Sequence, residues 1–305
     1  MPLIPISAPQ AVTPGGGFDY VTVDPVRRRV YAAHGGAKAL LVADADTGKV
    51  LGLVQVGPMA GVAVDPANGH VYTGNGRGQS VSEVDPVAMK VLRTVKVAGP
   101  VDAIAYDPTL KRIYADEDDG TRIFVIDTTT FKVIATVALP GHKPEYIQID
   151  PQTHDVYQNI SNLGEIAVID PHTLKVARVF ATPQLSNNHP LQYDERGHAL
   201  IAAGENGTLA VYSRGGKLLH KIAYPGKVDQ CSFDQSRGWL ACAGRSLVLF
   251  SVAGSGTPKL LASRVVANGF HTTAIDPKTG NIWAVWGDRG TGKAFIQGFA
   301  YKPKA

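Results

Sequence analysis

An aspartate recurs seven times along the chain, each time between two short runs of β-branched and aromatic residues, and proline follows it in five of the seven copies. Successive copies are 41, 42, 43, 44, 40 and 42 residues apart. A period of about 40 to 45 residues is typical of the blades of a β-propeller. The repeat therefore predicts an all-β protein, a seven-bladed β-propeller of four-stranded antiparallel blades. We call these seven residues the anchoring aspartates: Asp24, Asp65, Asp107, Asp150, Asp194, Asp234 and Asp276.

The third repeat illustrates how one blade is predicted. Strands are expected at Ala103–Tyr106, Ile113–Ala115, Ile123–Ile126 and Lys132–Val137, with a tight turn that begins at Asp107. The aspartate caps this turn, and the proline after it presets φ. Four antiparallel strands of this length make one blade.

The two ends of the chain are predicted to complete the same blade. After Asp276 the sequence supplies only three strands, while Ile4–Val12 precedes the first anchoring aspartate. We therefore expect the N-terminal segment to be the outer strand of the last blade, which removes the free edge of an open stack. Because the repeats fill nearly the whole chain, residues 1–305 are predicted to form a single propeller domain.

The net charge and the distribution of apolar residues indicate which kinds of partner the protein is expected to bind. The formal net charge is +4 over 305 residues, which is too small to indicate nucleic-acid binding. No run of about 18 apolar residues occurs, so no membrane span is expected. The start of the chain has neither the basic segment nor the long apolar segment of a signal peptide. A cytoplasmic location and an exported one with its leader removed both remain open, and a monomer is expected.

The two cysteines have two interpretations. If the strands that carry Cys231 and Cys242 pair as a hairpin around Asp234, the two thiols face each other and a disulfide is possible. Two buried thiols that act as small apolar residues are the alternative. A disulfide would favour an oxidising compartment.

Several short motifs recur with the period, namely Val-Asp-Pro, Val-Tyr, Val-Gly-Pro and the Ile-Asp-Pro-x-Thr-x-Lys-Val stretch at Ile169–Val176. In these the chain resembles the YVTN/YncE-like family of seven-bladed β-propellers. The resemblance covers nearly the whole chain and implies a bacterial or archaeal exported protein, periplasmic or secreted. The family includes surface-layer proteins, binding proteins and relatives of redox and lactone-cleaving enzymes, so fold analogy does not choose an activity.

Candidate functional residues emerge when equivalent positions of the repeats are compared. Five residues before the anchoring aspartate, six of the seven repeats place Asp, Glu or His, whereas the position three residues before it is mostly apolar. In a propeller this end of the first strand faces the mouth of the central channel, where all blades converge. We call these seven the ring residues: Asp19, Ala60, Asp102, Glu145, His189, Asp229 and His271.

The ring predicts a divalent metal ion. Four carboxylates in one narrow mouth repel one another unless a cation is present, and histidines among them suit Zn, Mn, Fe or Ni as well as Ca. The predicted ligands are His189, His271, Asp229 and Asp19. A metal there would polarise a substrate oxygen and activate water, while Glu145 or Asp102 takes the proton.

The leading functional hypothesis is therefore a metal-dependent hydrolase that acts on a small ester, lactone or phosphoester in the channel mouth. Two alternatives use the same features: a non-catalytic ligand- or protein-binding propeller of the cell envelope, and a metal-assisted lyase. The ring residues also have a purely structural interpretation, as solvated side chains that bond to backbone amides between blades. His34 and His142 are secondary candidates, while Asp116–Asp119 and the basic turn residues such as Arg27–Arg29 are interpreted as solvated.

Overall fold

The structure, a computed structural model, describes residues 2–254, 256–288 and 290–303. These residues form short β-strands and one 3₁₀ turn at Gly35–Ala37. The strands are β1 (Leu3–Pro5), β2 (Gln10–Val12), β3 (Val21–Asp24), β4 (Arg29–His34), β5 (Ala39–Asp44), β6 (Val50–Gln55), β7 (Val62–Val64), β8 (Val71–Asn75), β9 (Ser80–Asp85), β10 (Lys90–Lys96), β11 (Val101–Asp107), β12 (Arg112–Glu117), β13 (Arg122–Asp127), β14 (Lys132–Ala138), β15 (Pro144–Ile149), β16 (Val156–Ile160), β17 (Glu165–Asp170), β18 (Lys175–Ala181), β19 (Asn188–Asp194), β20 (Ala199–Gly204), β21 (Thr208–Ser213), β22 (Leu218–Ala223), β23 (Cys231–Asp234), β24 (Trp239–Cys242), β25 (Ser246–Ser251), β26 (Lys259–Val265), β27 (Phe270–Ile275), β28 (Ile282–Asp288) and β29 (Lys293–Tyr301).

The strands form seven antiparallel sheets arranged as the blades of a propeller. Blades one to six are β3–β6, β7–β10, β11–β14, β15–β18, β19–β22 and β23–β26, each in simple meander order. Blade seven consists of β27–β29 together with β1 and β2. The predicted seven-bladed all-β fold is therefore confirmed. No helix among the described residues has the length and apolar character needed to cross a membrane.

The N-terminal segment closes the ring as predicted, but in two pieces. Strand β1 pairs with the end of β29, with Leu3 opposite Tyr301. Strand β2 pairs with its beginning, with Val12 opposite Ala294. Because both pieces lie along β29, the outer edge of the last three C-terminal strands is covered.

The core lies between the blades, which stack face to face. Seven residues after the anchoring aspartate, five blades bury an aromatic side chain that is at most 2% exposed: Tyr31, Tyr72, Tyr114, Tyr157 and Trp283. Ile201 and Ala241 occupy this position in blades five and six and are equally buried. The second strand of a blade therefore packs on both faces, which is why it reads as an apolar run.

Each anchoring aspartate caps the turn that follows it. In blade one, Oδ1 of Asp24 accepts hydrogen bonds from the backbone N–H groups of Val26 and Arg27, both at 2.9 Å. Some of the basic turn residues differ from their interpretation as solvated groups, because they pair with buried anchoring aspartates. Arg28, for example, forms an ion pair with the buried Asp276 at 2.7 Å. The reason is that the aspartates are buried beneath the turns, so their charge requires a nearby cation.

The cysteine alternatives are resolved in favour of the disulfide. Strands β23 and β24 pair with Cys231 opposite Cys242, and the two residues are joined by a disulfide with a sequence separation of 11. Both are buried, at 2% and 0% exposed. The disulfide ties the innermost strand of blade six to its neighbour.

Candidate functional site

The central channel opens into a cavity of about 530 Å³ at one face of the propeller. All seven ring residues line it: Asp19, Ala60, Asp102, Glu145, His189, Asp229 and His271. The sequence-based expectation that one side chain per blade converges on the channel mouth therefore agrees with the geometry. We call this space the mouth cavity.

Irregularities at the start of the innermost strands explain why these side chains point inward. The pairing register shifts between Val101 and Ile104 in β11, and between Asn188 and Leu191 in β19. Equivalent shifts follow Glu145 in β15 and Phe270 in β27. Because a bulge re-aims the side chain at its own position, the three ring residues within the shifted stretches, Asp102, His189 and His271, leave the packing face that strict alternation would assign to them. Asp19, Ala60 and Asp229 precede the first strands of their blades, so strand alternation does not fix their direction.

Four ring residues form a continuous chain of charged contacts. Nε2 of His189 lies 3.0 Å from Oε2 of Glu145 and 3.3 Å from Oδ1 of Asp229. The other oxygen of Asp229 lies 3.1 Å from Nδ1 of His271. The carboxylate of Asp229 therefore holds both histidines, one on each oxygen.

Asp19 is held by a neighbour that the sequence analysis missed. Nε2 of Gln230 donates to Oδ1 of Asp19 at 3.0 Å. The Thr272 hydroxyl in turn donates to Oε1 of Gln230 at 2.6 Å. Gln230 is only 2% exposed and directly follows a ring residue. Being uncharged, it offered no signal in a search for Asp, Glu and His.

The contacts between histidines and carboxylates favour the charged histidines. Burial lowers the pKa of His189, but its hydrogen bond to Glu145 and the charges of Glu145 and Asp229 outweigh burial and raise the pKa to about 9. Burial likewise opposes the charge on His271, and the hydrogen bond to Asp229 reverses this and raises its pKa. Burial would raise the pKa of Asp229, yet its bond to His271 and the two histidine charges lower it.

The carboxylates on the other side of the cavity experience the opposite effect. Burial raises the pKa of Asp19 to about 6, with the charge of His271 working against it. Burial, together with the charges of Asp19, Asp116 and Glu145, raises the pKa of Asp102 well above its usual range. Asp102 makes no hydrogen bond or ion pair through its side chain within the described residues. The ionised forms of these two carboxyls are therefore less favourable than those of exposed acids.

Asp116 was placed in a solvated loop by the sequence analysis, and this placement is wrong. Strand β12 continues through Glu117, and Asp116 is completely buried. Its carboxylate accepts from the backbone N–H of Ala103 at 2.7 Å and from Nε2 of Gln158 at 3.1 Å. Burial and the charge of Glu145 raise the pKa of Asp116 well above its usual range, and the interaction between Asp116 and Asp102 raises the pKa of Asp102 as well.

Three charged residues of the cavity rim were not predicted as part of the site: Lys38 and Arg77 were not considered, and Asp118 was interpreted as a solvated loop residue. Lys38, Arg77 and Asp118 line the cavity from the loops between the second and third strands of blades one to three. A comparison of those loops across repeats would have found them. The secondary candidates do not line this cavity: His34 is buried between the Gly17 and Pro14 carbonyl oxygens, at 3.0 and 2.9 Å, and His142 is exposed.

Tyr20 lines the mouth cavity, and Tyr146 packs against it from outside this cavity. The rings of Tyr20 and Tyr146 lie 5.2 Å apart across the channel. The Tyr146 hydroxyl donates to the Cys231 carbonyl at 2.7 Å, so the disulfide-linked strand holds this ring in place. Both tyrosines also line a separate cavity of about 170 Å³ inside the channel. Tyr20 thus lines both cavities.

The geometry of the ring residues differs from that of a metal-binding site. Among the described residues, no group of three or more His, Cys, Asp or Glu side chains is arranged to hold a metal ion. A metal-bound histidine normally donates its second ring nitrogen to a neighbour, but the buried Nδ1 of His189 has no partner among the described residues. The arrangement does not match a built metal site, and the metal stays a prediction.

Asp229→Asn is expected to lower the pKa of both histidines. His271 should shift more, because it loses the hydrogen bond that raises its pKa, whereas His189 keeps Glu145 at 3.0 Å. The measurement is an NMR pH titration of the imidazole resonances. Asp119→Asn is the control, since that side chain is 72% exposed on the neighbouring loop. A His271 titration that is unchanged by Asp229→Asn would contradict the proposed coupling.

Comparisons with known proteins bear on the fold. No protein-family model and no curated protein matches the chain. Among solved structures it is similar to one described as hydrazine synthase of Kuenenia stuttgartiensis, with a TM-score of 0.80 and 19% identity over 93% of this chain and 96% of that chain. It is also similar to a structure of U3-55K, with a TM-score of 0.79 and 10% identity over 95% of this chain and 98% of that one.

A third similar structure is that of the WD40 repeats of RRP9, with a TM-score of 0.82 and 10% identity over 98% of this chain and 99% of that one. At such identities the likeness establishes the seven-bladed propeller fold and carries no information about the ligand.

Proposed function

We propose that the protein is a non-catalytic ligand-binding propeller whose mouth cavity binds a small cationic molecule. The observation that carries this proposal is the state of Asp102. This carboxyl lines the cavity and has no bonding partner among the described residues. Burial and three neighbouring carboxylates raise its pKa well above the usual range.

A bound cation would remove the source of that shift. An amino or guanidinium group placed between Asp102, Asp19 and Glu145 would form charge-assisted hydrogen bonds with carboxylates that now repel one another. The cavity, at about 530 Å³, is of the size that small-molecule sites have. The ring of Tyr20, which lines the cavity, adds an aromatic surface that favours cations.

The state of the histidines supports binding rather than catalysis. A general base must be unprotonated near the working pH. His189, with a pKa raised to about 9, is protonated at neutral pH and holds Glu145 and Asp229 in place. The role that we assign to His189 and His271 is to orient carboxylates, and the role of Asp19 and Asp102 is to contact the ligand.

Family and compartment belong to the same proposal. The repeated Val-Asp-Pro and Val-Tyr motifs support membership in the YVTN/YncE-like family. The buried disulfide between Cys231 and Cys242 supports an oxidising compartment, as expected for a protein of the bacterial cell envelope. A monomer with one ligand site is the simplest form consistent with the closed ring.

The test is calorimetric titration of the purified protein with small amines and guanidinium compounds, such as putrescine, agmatine and choline. We expect binding that weakens at least about tenfold in Asp102→Asn, since a charged partner is lost. Affinity should rise as the pH increases through about 6, because Asp19 with its pKa of about 6 then becomes negatively charged. Asp119→Asn, which removes an exposed carboxylate beside the cavity, should leave affinity unchanged.

The same preparations distinguish the proposal from the metal-dependent hydrolase and lyase hypotheses, which stay predictions. We expect no stoichiometric transition metal by elemental analysis, no effect of a chelator on thermal stability, and no turnover of esters, lactones or phosphoesters. Bound metal with turnover that is lost in His189→Ala would reject the binding proposal in favour of the hydrolase. Failure of every cation to bind would reject it outright.

A further inference from the structure

The face opposite the mouth carries a second set of equivalent carboxylates, the anchoring aspartates. One oxygen of each caps its turn, and the other oxygen faces the space between blades. In five blades this second oxygen lies 2.7 to 3.2 Å from a basic side chain. The pairs are Asp24 with Arg27, Asp107 with His154, Asp150 with Arg214, Asp234 with Arg237, and Asp276 with Arg28.

Blade two departs from this pattern. Asp65 is 6% exposed, and it forms no ion pair within the described residues. Its Oδ2 has only the hydroxyls of Tyr72 and Tyr106 as donors, both at 3.4 Å, near the limit of a hydrogen bond. Two distant, uncharged donors compensate the charge of a buried carboxylate only weakly.

Blade four provides the matched comparison. There Oδ2 of Asp150 accepts from the Tyr193 hydroxyl at 2.7 Å and from the Arg214 guanidinium at 3.0 Å. Tyr193 and Tyr106 are equivalent, since each directly precedes the anchoring aspartate of the next repeat. The same site thus exists twice, once with a guanidinium and once without.

The missing guanidinium has a direct cause in the sequence. Arg214 is the first residue after the third strand of its blade, and Thr128 is the first residue after the third strand of blade three. The backbone N–H of each bonds to the equivalent carbonyl, that of Arg214 to His198 at 3.3 Å and that of Thr128 to Lys111 at 2.9 Å. The shorter threonine side chain leaves unfilled the place that arginine occupies beside Asp150.

A cavity of about 380 Å³ lies at this place, and Asp65, Tyr72, Tyr106 and Thr128 are among its lining residues. The other buried acid of the wall, Glu83, is already paired with His70 and Arg93. Arg93 already has its own partners, since it also donates to the Thr128 carbonyl at 3.0 Å and lies over the Phe131 ring. Lys111 contributes to the lining from the exposed turn and makes no ion pair within the described residues.

We propose that this cavity between blades two and three is a second binding site, specific for a guanidinium group, with Asp65 as the anion and the Tyr72 and Tyr106 rings as the aromatic wall. The bound group takes the place that the Arg214 side chain occupies in blade four. Carboxylate, tyrosine hydroxyl and aromatic face are the groups that recognise planar guanidinium cations. The proposal is independent of the mouth cavity, which lies on the opposite face.

The experiment is carried out in the Asp102→Asn background, in which binding at the mouth is weakened, so that the Asp65 variants report on the second site. The probes are N-acetyl-arginine amide and agmatine, with N-acetyl-citrulline amide as the uncharged isostere, and binding is followed by calorimetry and by NMR shifts of the tyrosine resonances. We expect the guanidinium probes to bind and the citrulline probe to bind at least about tenfold more weakly. Binding of agmatine alone indicates a free small molecule, and binding of both indicates that an arginine side chain of a protein also fits.

Four variants decide the outcome. Asp65→Asn keeps the turn cap and should abolish binding, while Asp85→Asn, in the neighbouring turn of the same blade, should not. Thr128→Arg should also abolish binding, because its own guanidinium fills the site, and it should raise the melting temperature. Equal binding by Asp65→Asn, equal binding of the citrulline probe, or binding that occurs only after Lys111→Met would overturn the proposal, the last because Lys111 would then be the natural partner of Asp65.

Discussion

Arg28→Met is expected to destabilise the protein by about 3 kcal/mol, because it leaves a buried carboxylate without its cation. Nη2 of Arg28 lies 2.7 Å from Oδ2 of Asp276, whose side chain is 0% exposed. The two residues are 248 positions apart and join the first blade to the last. Loss of this pair therefore weakens the interface at which the ring closes. The measurement is guanidinium chloride unfolding near pH 7.

The matched control is Arg29→Met. Arg29 pairs with Asp44 at 3.4 Å, and both side chains are partly exposed, at 36% and 24%. An exposed pair contributes little, so a loss below about 1 kcal/mol is expected. Replacing both members of the buried pair, in Arg28→Met with Asp276→Asn, should recover much of the stability, because no unpaired charge remains. Equal losses for Arg28→Met and Arg29→Met would show that ring closure does not depend on this ion pair.

Asp102→Asn is expected to make the protein more stable at pH 8 while it weakens ligand binding at the mouth. The pKa of Asp102 is raised by burial and by Asp19, Asp116 and Glu145. When an acid has a higher pKa in the folded state than in the unfolded state, the protein is most stable at a pH below the pKa of the unfolded state. That stability is lost as the pH rises toward the pKa of the folded state. Asparagine removes this loss. A gain in the free energy of unfolding on the order of 1 kcal/mol or more is therefore expected, since one pKa unit corresponds to about 1.4 kcal/mol.

The pH dependence is the informative part of this second experiment. Near pH 4 the folded wild type carries a protonated Asp102, so wild type and variant should be equally stable. The difference should grow as the pH is raised to 8. Asp119→Asn should show no difference at either pH, since its side chain is 72% exposed. A variant that is less stable than wild type at pH 8 would mean that Asp102 is satisfied in the folded protein, and the argument for a cationic ligand would fail.

If Asp102→Asn is more stable than the wild type at pH 8, the mouth cavity is a site that lowers the stability of the fold because its residues serve ligand binding. Natural proteins retain destabilising polar groups where they bind ligands, and removing them commonly stabilises the fold. Asp65 on the opposite face belongs to the same category, because it too is a buried carboxylate with no ion pair among the described residues. The two sites are separable by the variants described above.

The contrast between Asp102 and Asp116 indicates how far sequence comparison reaches. Asp102 was found because seven equivalent positions can be aligned within one chain, and the ring pattern is visible in that alignment. Asp116 was misplaced because a run of acidic residues resembles a solvated loop. In the structure the strand continues through it, and hydrogen bonds from Ala103 and Gln158 stabilise its burial. The composition of a short segment does not reveal hydrogen-bond donors that are distant from it in the sequence.

The number of blades, the strand that closes the ring and the positions that line the mouth all follow from the period of the repeats. Periodicity is sufficient for them because a four-stranded blade is a local unit, and equivalent residues of a closed ring must face the same axis. The residues that the ring residues and the anchoring aspartates contact do not follow from the period of the repeats. Three examples lie between blades. Asp229 contacts two histidines, Arg28 pairs with Asp276, and Thr128 stands where blade five has an arginine. They depend on how sheets that are distant in the chain pack when the ring closes, and this is settled by three-dimensional packing rather than by local sequence.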